Sequence, residues 1–328
     1  MLRLLALFAL AVASLSAQTP IATITGAGYT PPLPIPAAPG QLVTLYVSGI
    51  GFPVSEPAFA PAGPLPTSLG GLFVTLVQTS GSTPVPILQV NAVLSCSGVP
   101  HNAPCVQLTA VTVQIPFELQ PPCLLCASPV SPPLFAYLSV SPTCSANPSM
   151  LNPTCITQPL SILTPSPDHI HFITSCDSIL DSASSQIPPC PPLVTHADGS
   201  PVTPATPARS GEELVAYATG LGQTNPPSVT GQPANSSAPT VATLLTDFNF
   251  HPNALASRPV APGAQPPKFS GTTPGFAGLY QINFIVPIVP SATPSCGDAG
   301  IQSNLTFSVS GLSSFDGAGI CVAPTPSP

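Results

Sequence analysis

The chain has 328 residues, of which only 5% are charged, and a formal net charge of −7. Its four basic residues cannot form a Lys/Arg cluster, which excludes nucleic-acid binding and a polybasic membrane-surface patch. Fifty Pro and 24 Gly occur beside a hydrophobic content of 44%, which argues against disorder and indicates many short strands joined by turns.

The amino-terminal segment has the pattern of a secretory signal peptide. Arg3 precedes an apolar run that starts at Leu4, and small residues follow up to Ala17. The run is too short and wrongly flanked for a membrane-spanning helix. We therefore predict a signal peptide over residues 1–17 and a secreted protein, whether extracellular, periplasmic or at the cell surface. No later run is long and apolar enough to predict a transmembrane segment.

The first strand with a clear pattern lies in GQLVTLYVSGIG, residues 40–51. Val43, Leu45 and Val47 share one face, and Tyr46 lies on the other. The GIG turn lacks the third glycine and the helix of a dinucleotide-binding loop, so we predict a tight turn with positive φ. Other strand-like runs cover residues 72–77, 85–90, 134–140, 156–163, 241–248 and 305–309.

Ten cysteines in an exported chain predict disulfides. The CLLC motif has the spacing of a redox site, but prolines flank it and no helix start is present to lower a thiol pKa. We therefore expect structural bridges, and sequence leaves their connectivity open. The simplest pairing joins sequential neighbours: Cys96 with Cys105, Cys123 with Cys126, Cys144 with Cys155, Cys176 with Cys190, and Cys296 with Cys321.

Histidines supply the candidates for a metal site. In DHIH, His169 and His171 fall on one face of any strand, and His196 and Asp198 in HADG are the attractive further ligands. The alternative is a structural role for each, with Asp198 and Gly199 forming a turn. We favour the structural role and predict no metal and no cofactor.

The strand at residues 40–51 has a second copy in GEELVAYATGLG, residues 211–222. The offset of 171 keeps odd and even positions in step, as a structural repeat requires, and places Tyr217 where the first copy has Tyr46. A second pair of motifs, VTVQIP ending at Pro116 and INFIVP ending at Pro287, gives the same offset. The chain is therefore a tandem repeat.

Six or seven short strands per repeat, with turns between them, are typical of an immunoglobulin-like sandwich. We predict an all-β protein with two tandem immunoglobulin-like β-sandwich domains. They cover residues 18–166 and 167–328 and follow the cleaved signal peptide.

Several motifs also resemble a known family. HADGSPVTPATPARSGEELVAYATGLGQTNPP (196–227) and GFAGLYQINFIVP (275–287) resemble the Solibacter-type uncharacterised carboxy-terminal domain of secreted acidobacterial proteins. The first half, with APGQLVTLYVSGIG and VTVQIPFEL, resembles the module that precedes it. Ser210, in place of the family's Pro, and the cysteine-bearing insertions depart from the pattern. The resemblance implies secretion and an immunoglobulin-like fold, and offers no catalytic residues.

No enzyme motif is present: there is no nucleophile elbow, and Glu118 and Glu212 read as solvated acids at strand ends. We predict no catalytic residues and a secreted or surface-associated interaction or structural protein, adhesive in role. The alternative is a carbohydrate-binding accessory module, and the remote alternative is a metal-dependent enzyme. The expected partner is an extracellular protein or polysaccharide. Tyr46 and Tyr217, on the faces opposite the core, either contact that partner or pack in a second layer of the sandwich. Sequence leaves the oligomeric state open.

Overall fold

The computed structural model describes residues 23–27, 35–50, 56–78, 81–95, 106–119, 136–141, 156–162, 170–175, 177, 191–250, 264–293, 303–309, 312–313 and 318–325. Throughout these residues the regular secondary structure is strand, and they contain no helix. The all-β prediction is confirmed. The predicted signal peptide, the boundary near residue 166 and His169 lie outside the described residues.

The first half of the chain contributes eleven described strands in two sheets. One sheet has the order β1-β3-β9-β8-β4, and the other has the order β2-β11-β10-β6-β5 with β7 also on β6. All pairs are antiparallel except β2 with β11. The strands are β1 (Thr23–Ala27), β2 (Ile35–Ala37), β3 (Leu42–Ser48), β4 (Ala58–Phe59), β5 (Ser68–Leu69), β6 (Leu72–Gln78), β7 (Gly81–Val85), β8 (Ile87–Ser95), β9 (Val106–Gln114), β10 (Ala136–Ser141) and β11 (Ile156–Ile162).

The second half contributes nine described strands in two further sheets. One has the order β12-β14-β17-β16 with β13 also on β14, and the other has β15-β18-β19 with β20 also on β18. The strands are β12 (His171–Phe172), β13 (Val194–His196), β14 (Glu213–Thr219), β15 (Leu244–Asn249), β16 (Phe269–Thr272), β17 (Tyr280–Ile285), β18 (Ser303–Val309), β19 (Leu312–Ser313) and β20 (Ala318–Ile320).

The predicted repeat appears in the strand pairing. β3 pairs with β9 from Leu42 opposite Gln114 to Val47 opposite Thr109. β14 pairs with β17 from Glu213 opposite Ile285 to Ala218 opposite Tyr280, so each partner is shifted by 171. The closing hydrogen bonds repeat as well: Gly40 N–H donates to Ile115 O, and Gly211 N–H donates to Val286 O, each at 2.8 Å.

The buried residues form two separate clusters, one in each half. The first combines Leu45 and Val111 of one sheet with Leu76 and Leu138 of the other, which is how two sheets enclose a core. The predicted inward face is confirmed, because Val43, Leu45, Val47 and their repeat equivalents Leu214, Ala216 and Ala218 are all buried.

The glycine turns are also confirmed. Gly49, Gly220 and Gly222 have φ values of 72°, 86° and 80°, which L-residues with a side chain rarely adopt. These glycines therefore permit a backbone conformation at the ends of β3 and β14 that other residues rarely adopt, and the described residues after them contain no helix of the kind that follows a dinucleotide loop.

One strand prediction is wrong. Residues 85–90 were expected to form one strand, but β7 ends at Val85 and β8 begins at Ile87. Pro86 between them has no N–H to donate, and the chain crosses there from the sheet of β6 to the sheet of β9. Val85 and Ile87 are both buried on either side of Pro86, so the apolar sequence of this run does not reveal the change of sheet.

Candidate functional site

His171 is buried in an ion pair at the end of β12. Its Nε2 lies 3.0 Å from Asp177 Oδ1, and Asp177 also accepts hydrogen bonds from the backbone N and the hydroxyl of Thr174. Burial raises the pKa of Asp177, but hydrogen bonds from His171 and Thr174 outweigh it and hold that pKa below its usual value. These contacts give His171 a structural role.

His196 lies at the end of β13 beside a turn. Its Nδ1–H donates to Glu212 Oε1 at 2.5 Å, and its Nε2–H donates to the carbonyl of Thr206 at 3.0 Å. Both partners only accept, so the doubly protonated ring satisfies both contacts. The hydrogen bond to Glu212 raises the pKa of His196; partial burial opposes this rise, and the Thr206 carbonyl adds to it.

The structure separates the two described metal candidates. β12 and β13 pair with the same edge of β14, where His171 faces Thr219 and His196 faces Leu214. Five residues along a strand span about 17 Å, which is too far for one metal ion. Among the described residues, no group of three His, Cys, Asp or Glu side chains is placed to hold a metal.

Glu212 belongs to the turn before β14. Its Oε2 accepts from the backbone N of Arg209 at 2.8 Å, and at the equivalent position in the first half Gln41 Oε1 accepts from the N of Ala38 at 2.9 Å. The carboxylate of Glu212 and the amide of Gln41 thus accept equivalent hydrogen bonds in the two copies of this turn. The expectation that Glu212 is merely solvated is wrong, because it also accepts from His196.

The HADG motif forms the predicted turn. Asp198 Oδ1 accepts from the backbone N and the hydroxyl of Ser200 at 2.9 and 2.6 Å, and Gly199 has φ of 85°. These hydrogen bonds lower the pKa of Asp198. A shallow depression here is lined by His196, Asp198, Arg209 and Glu212. The side chains of His196, Asp198 and Glu212 are already engaged in the hydrogen bonds described above.

The two halves contact each other through a short segment after β14. Thr230 Oγ1 donates to Glu118 Oε2 at 2.5 Å and accepts from the N of Phe117 at 2.9 Å. Gly231 N donates to Gln114 Oε1 at 2.6 Å, and Gly231 O accepts from the N of Leu65 at 2.8 Å. We call these four hydrogen bonds the joint. Glu118, expected to be solvated, is one of its acceptors.

The outer face of β9 is covered next to the joint. Thr112 and Gln114 point away from the core of the first half, yet they are 4% and 0% exposed. Tyr46, on the neighbouring β3, is half-buried; burial raises its pKa, and the negative charge of Asp177 in the second half raises it further. Tyr46 therefore faces the second half. Its repeat equivalent, Tyr217, is also half-buried.

A cleft of about 530 Å³ lies beside the joint, within the roughly 300–1,000 Å³ of small-ligand sites. The first half contributes Pro64, Gln114 and Phe117, and the second half contributes much of segment 226–238 with Thr272, Phe276, Gly278 and Tyr280. None of the described residues that line it is charged. The cleft is the candidate binding site of the molecule.

The floor of the cleft holds a polar group with an unused donor. Gln114 Oε1 is fixed by the N–H of Gly231, whereas Gln114 Nε2 makes no hydrogen bond to the described part of the protein. A Cβ at Gly278 would lie 3.0 Å from that Nε2, so the missing side chain is what lets the two halves approach. Tyr280, also on the floor, donates its hydroxyl to Gly222 O.

Sequence reasoning missed Gln114, Thr230 and Gly278. Gln114 ends β9, and the nearest residues on its outward face, Thr112 and Ala110, are small or polar, which is typical of a solvent-facing side. The equivalent position in the second half holds Ile285, which is 38% exposed. The sequence offered one indication of this role: the first copy of the repeat has Gln114 where the second copy has the apolar Ile285.

No family model matches the chain, and no curated protein matches it. The described residues contain no helix of the length and apolarity needed to cross a membrane. Cys321 is disulfide-bonded; the other nine cysteines lie outside the described residues, so the pairing stays a prediction. The resemblance to the Solibacter-type family likewise stays a prediction.

Proposed function

We propose that this chain is a secreted or surface-associated, non-catalytic interaction protein that holds an uncharged partner in the cleft between its two halves. The observation that carries the proposal is the cleft itself, which both halves line and which has no charged residue among those described. The described histidines add support, since both are engaged in ion pairs. We include an adhesive role in the proposal, because a binding site between two folded halves can hold a partner at a surface.

The strand order supports an immunoglobulin-like fold for each half. In that fold, strands A-B-E-D form one sheet and C-F-G form the other. β1-β3-β9-β8 and β6-β10-β11 follow this order, and so do β12-β14-β17-β16 and β15-β18-β20. The leader pattern of residues 1–17 and the ten cysteines support export.

The test is retention of the mature protein, residues 18–328, on washed cell envelopes and on a set of insoluble polysaccharides. Phe276 is 49% exposed in the cleft and Ile288 is 80% exposed outside it, so Phe276→Ala and Ile288→Ala form a matched pair. We expect retention on at least one surface, lost with Phe276→Ala and kept with Ile288→Ala. Retention nowhere, or equal retention of both variants, would refute the proposal.

A second candidate is a carbohydrate-binding accessory protein. The carboxamides around the cleft, Gln114, Gln232 and Asn235, favour it. Retention on one polysaccharide that its soluble fragments reverse would select this candidate, and retention on envelopes alone would select a protein partner.

A further inference from the structure

We infer that the cleft binds a neutral, polyhydroxylated chain, a segment of an uncharged polysaccharide, through carboxamides and the Phe276 ring. The inference rests on the proposed function and names the ligand class of the same site. Four properties of the cleft carry it: its lack of charged lining residues, its polar side chains, the exposed Phe276 ring and its hydrogen-bonded backbone.

The described residues that line the cleft include no charged side chain, and this selects against ionic ligands. A charged group that enters a partly buried site without a counter-charge loses hydration that nothing replaces. Glu118 is the nearest acid in sequence to a lining residue, and its Oε2 already accepts from Thr230. The described lining residues therefore offer no ionic partner, so an uncharged ligand is the one that the site does not penalise.

The polar groups match hydroxyls. A carboxamide both donates and accepts, and so does a sugar hydroxyl. Gln232 and Asn235 are exposed at the cleft, and their side chains make no hydrogen bond among the described residues. Both are therefore available to a ligand without breaking an internal contact.

Gln114 adds a donor at the floor. Its side chain is 0% exposed, its Oε1 is held by Gly231, and its Nε2 has no partner among the described residues. A buried donor without an acceptor is unfavourable, because its lost hydration is not replaced. A ligand oxygen that accepts a hydrogen bond from this nitrogen would remove that cost.

Phe276 supplies a flat apolar surface. Its backbone is fixed by hydrogen bonds from its N to Thr273 O and from Ala234 N to its O, so the half-exposed ring is presented at a set position. The apolar face of a sugar ring packs on such a surface. Pro226, Pro227 and Pro233 stiffen the same wall, which lowers the entropy lost on binding.

The backbone of the wall argues against an extended peptide. Peptides that add to a protein edge need unpaired backbone N–H and C=O groups. Here Gln232 N donates to Val229 O, Ala234 N donates to Phe276 O, and Gly275 N donates to Ala234 O. Because these backbone groups already form hydrogen bonds within the protein, the groups available to a ligand are the side-chain amides.

The test is isothermal titration of mature protein with soluble hexasaccharides of cellulose, xylan, mannan, laminarin, starch and chitin, and with hexagalacturonate as the charged comparison. We expect at least one neutral chain to bind. Affinity should fall by roughly tenfold or more in Phe276→Ala and in the double variant Gln232→Ala/Asn235→Ala. It should change by less than about twofold in Ile288→Ala.

Three outcomes would overturn the inference. They are no binding of any neutral chain at millimolar concentration, preference for hexagalacturonate, or affinity that the cleft variants leave unchanged. The proposed function has a separate readout: if Phe276→Ala still abolishes retention on cell envelopes while no sugar binds, the cleft remains a binding site and only its ligand class is wrong.

Discussion

His196 and Gln114 show how the same requirement, a partner for every buried polar group, has two outcomes in this molecule. His196 has acceptors at both ring nitrogens, Glu212 and the Thr206 carbonyl. It has no lone pair left for a metal or for proton abstraction in that state. Gln114 has one end satisfied and one end open. At this scale the histidine is a structural group and the glutamine is the binding candidate.

The raised pKa of His196 predicts a pH-dependent contribution to stability. Because the folded-state pKa lies above the unfolded value of 6.5, the contribution is present below pH 6.5 and is lost as pH rises through the raised pKa. We expect the difference in unfolding free energy between wild type and His196→Gln to be about 1–2 kcal/mol at pH 5.5 and smaller at pH 9. Urea unfolding at both pH values measures it.

Comparison with the variant removes the effect of titrating groups that do not interact with His196. A difference that grows with pH, or that does not change, would contradict the assignment of a protonated His196.

The turns before β3 and β14 show what repetition conserves at the scale of elements. Gly40 and Gly211 have φ values of 77° and 79°. Their surroundings differ: a Cβ at Gly40 would lie 2.2 Å from the Phe117 ring, whereas a Cβ at Gly211 would meet nothing within 4 Å. The repeat thus preserved the backbone of the turn, and of these two glycines only Gly40 lies against Phe117, which lines the cleft.

This difference predicts unequal costs for the same substitution. Gly211→Ala should lower the unfolding free energy by about 1–2 kcal/mol, from backbone strain alone. Gly40→Ala should cost more, because the Phe117 ring must also move. Urea unfolding of the two variants measures the pair. Equal costs would show that Phe117 is not packed on Gly40.

Over the whole molecule, the two halves are not equivalent. Gln114 and Ile285 occupy the same position in the repeat, but the first is fully buried at the joint and the second is exposed. The outer face of β9 therefore serves as a docking surface for the second half, and the matching face of β17 does not. Among the described residues, the cleft lies beside this docked face, so the two copies of the repeat contribute unequally to the candidate site.

The joint predicts a local effect on hydrogen exchange. Thr230→Val keeps the shape of the side chain but removes the acceptor of the Phe117 N–H and the donor to Glu118. We expect the Phe117 amide to exchange roughly tenfold faster, with core amides such as Val111 unchanged. Thr83→Val, in β7, is the control. Unchanged exchange at Phe117 would mean that the joint is not formed in solution.

From the amino-acid sequence we could predict the all-β class, the 171-residue repeat, the inward faces of β3, β9, β14 and β17, and the glycine turns. These depend on alternation and on φ preferences, which are properties of neighbouring residues. Four features became visible only in the tertiary structure, because they depend on contacts between distant residues. They are the change of sheet at Pro86, the pairing of His196 with Glu212, the separation of His171 from His196, and the cleft. The joint links residues more than 110 positions apart, such as Gly231 and Gln114 at 117, and no local pattern encodes which distant acceptor a buried donor meets.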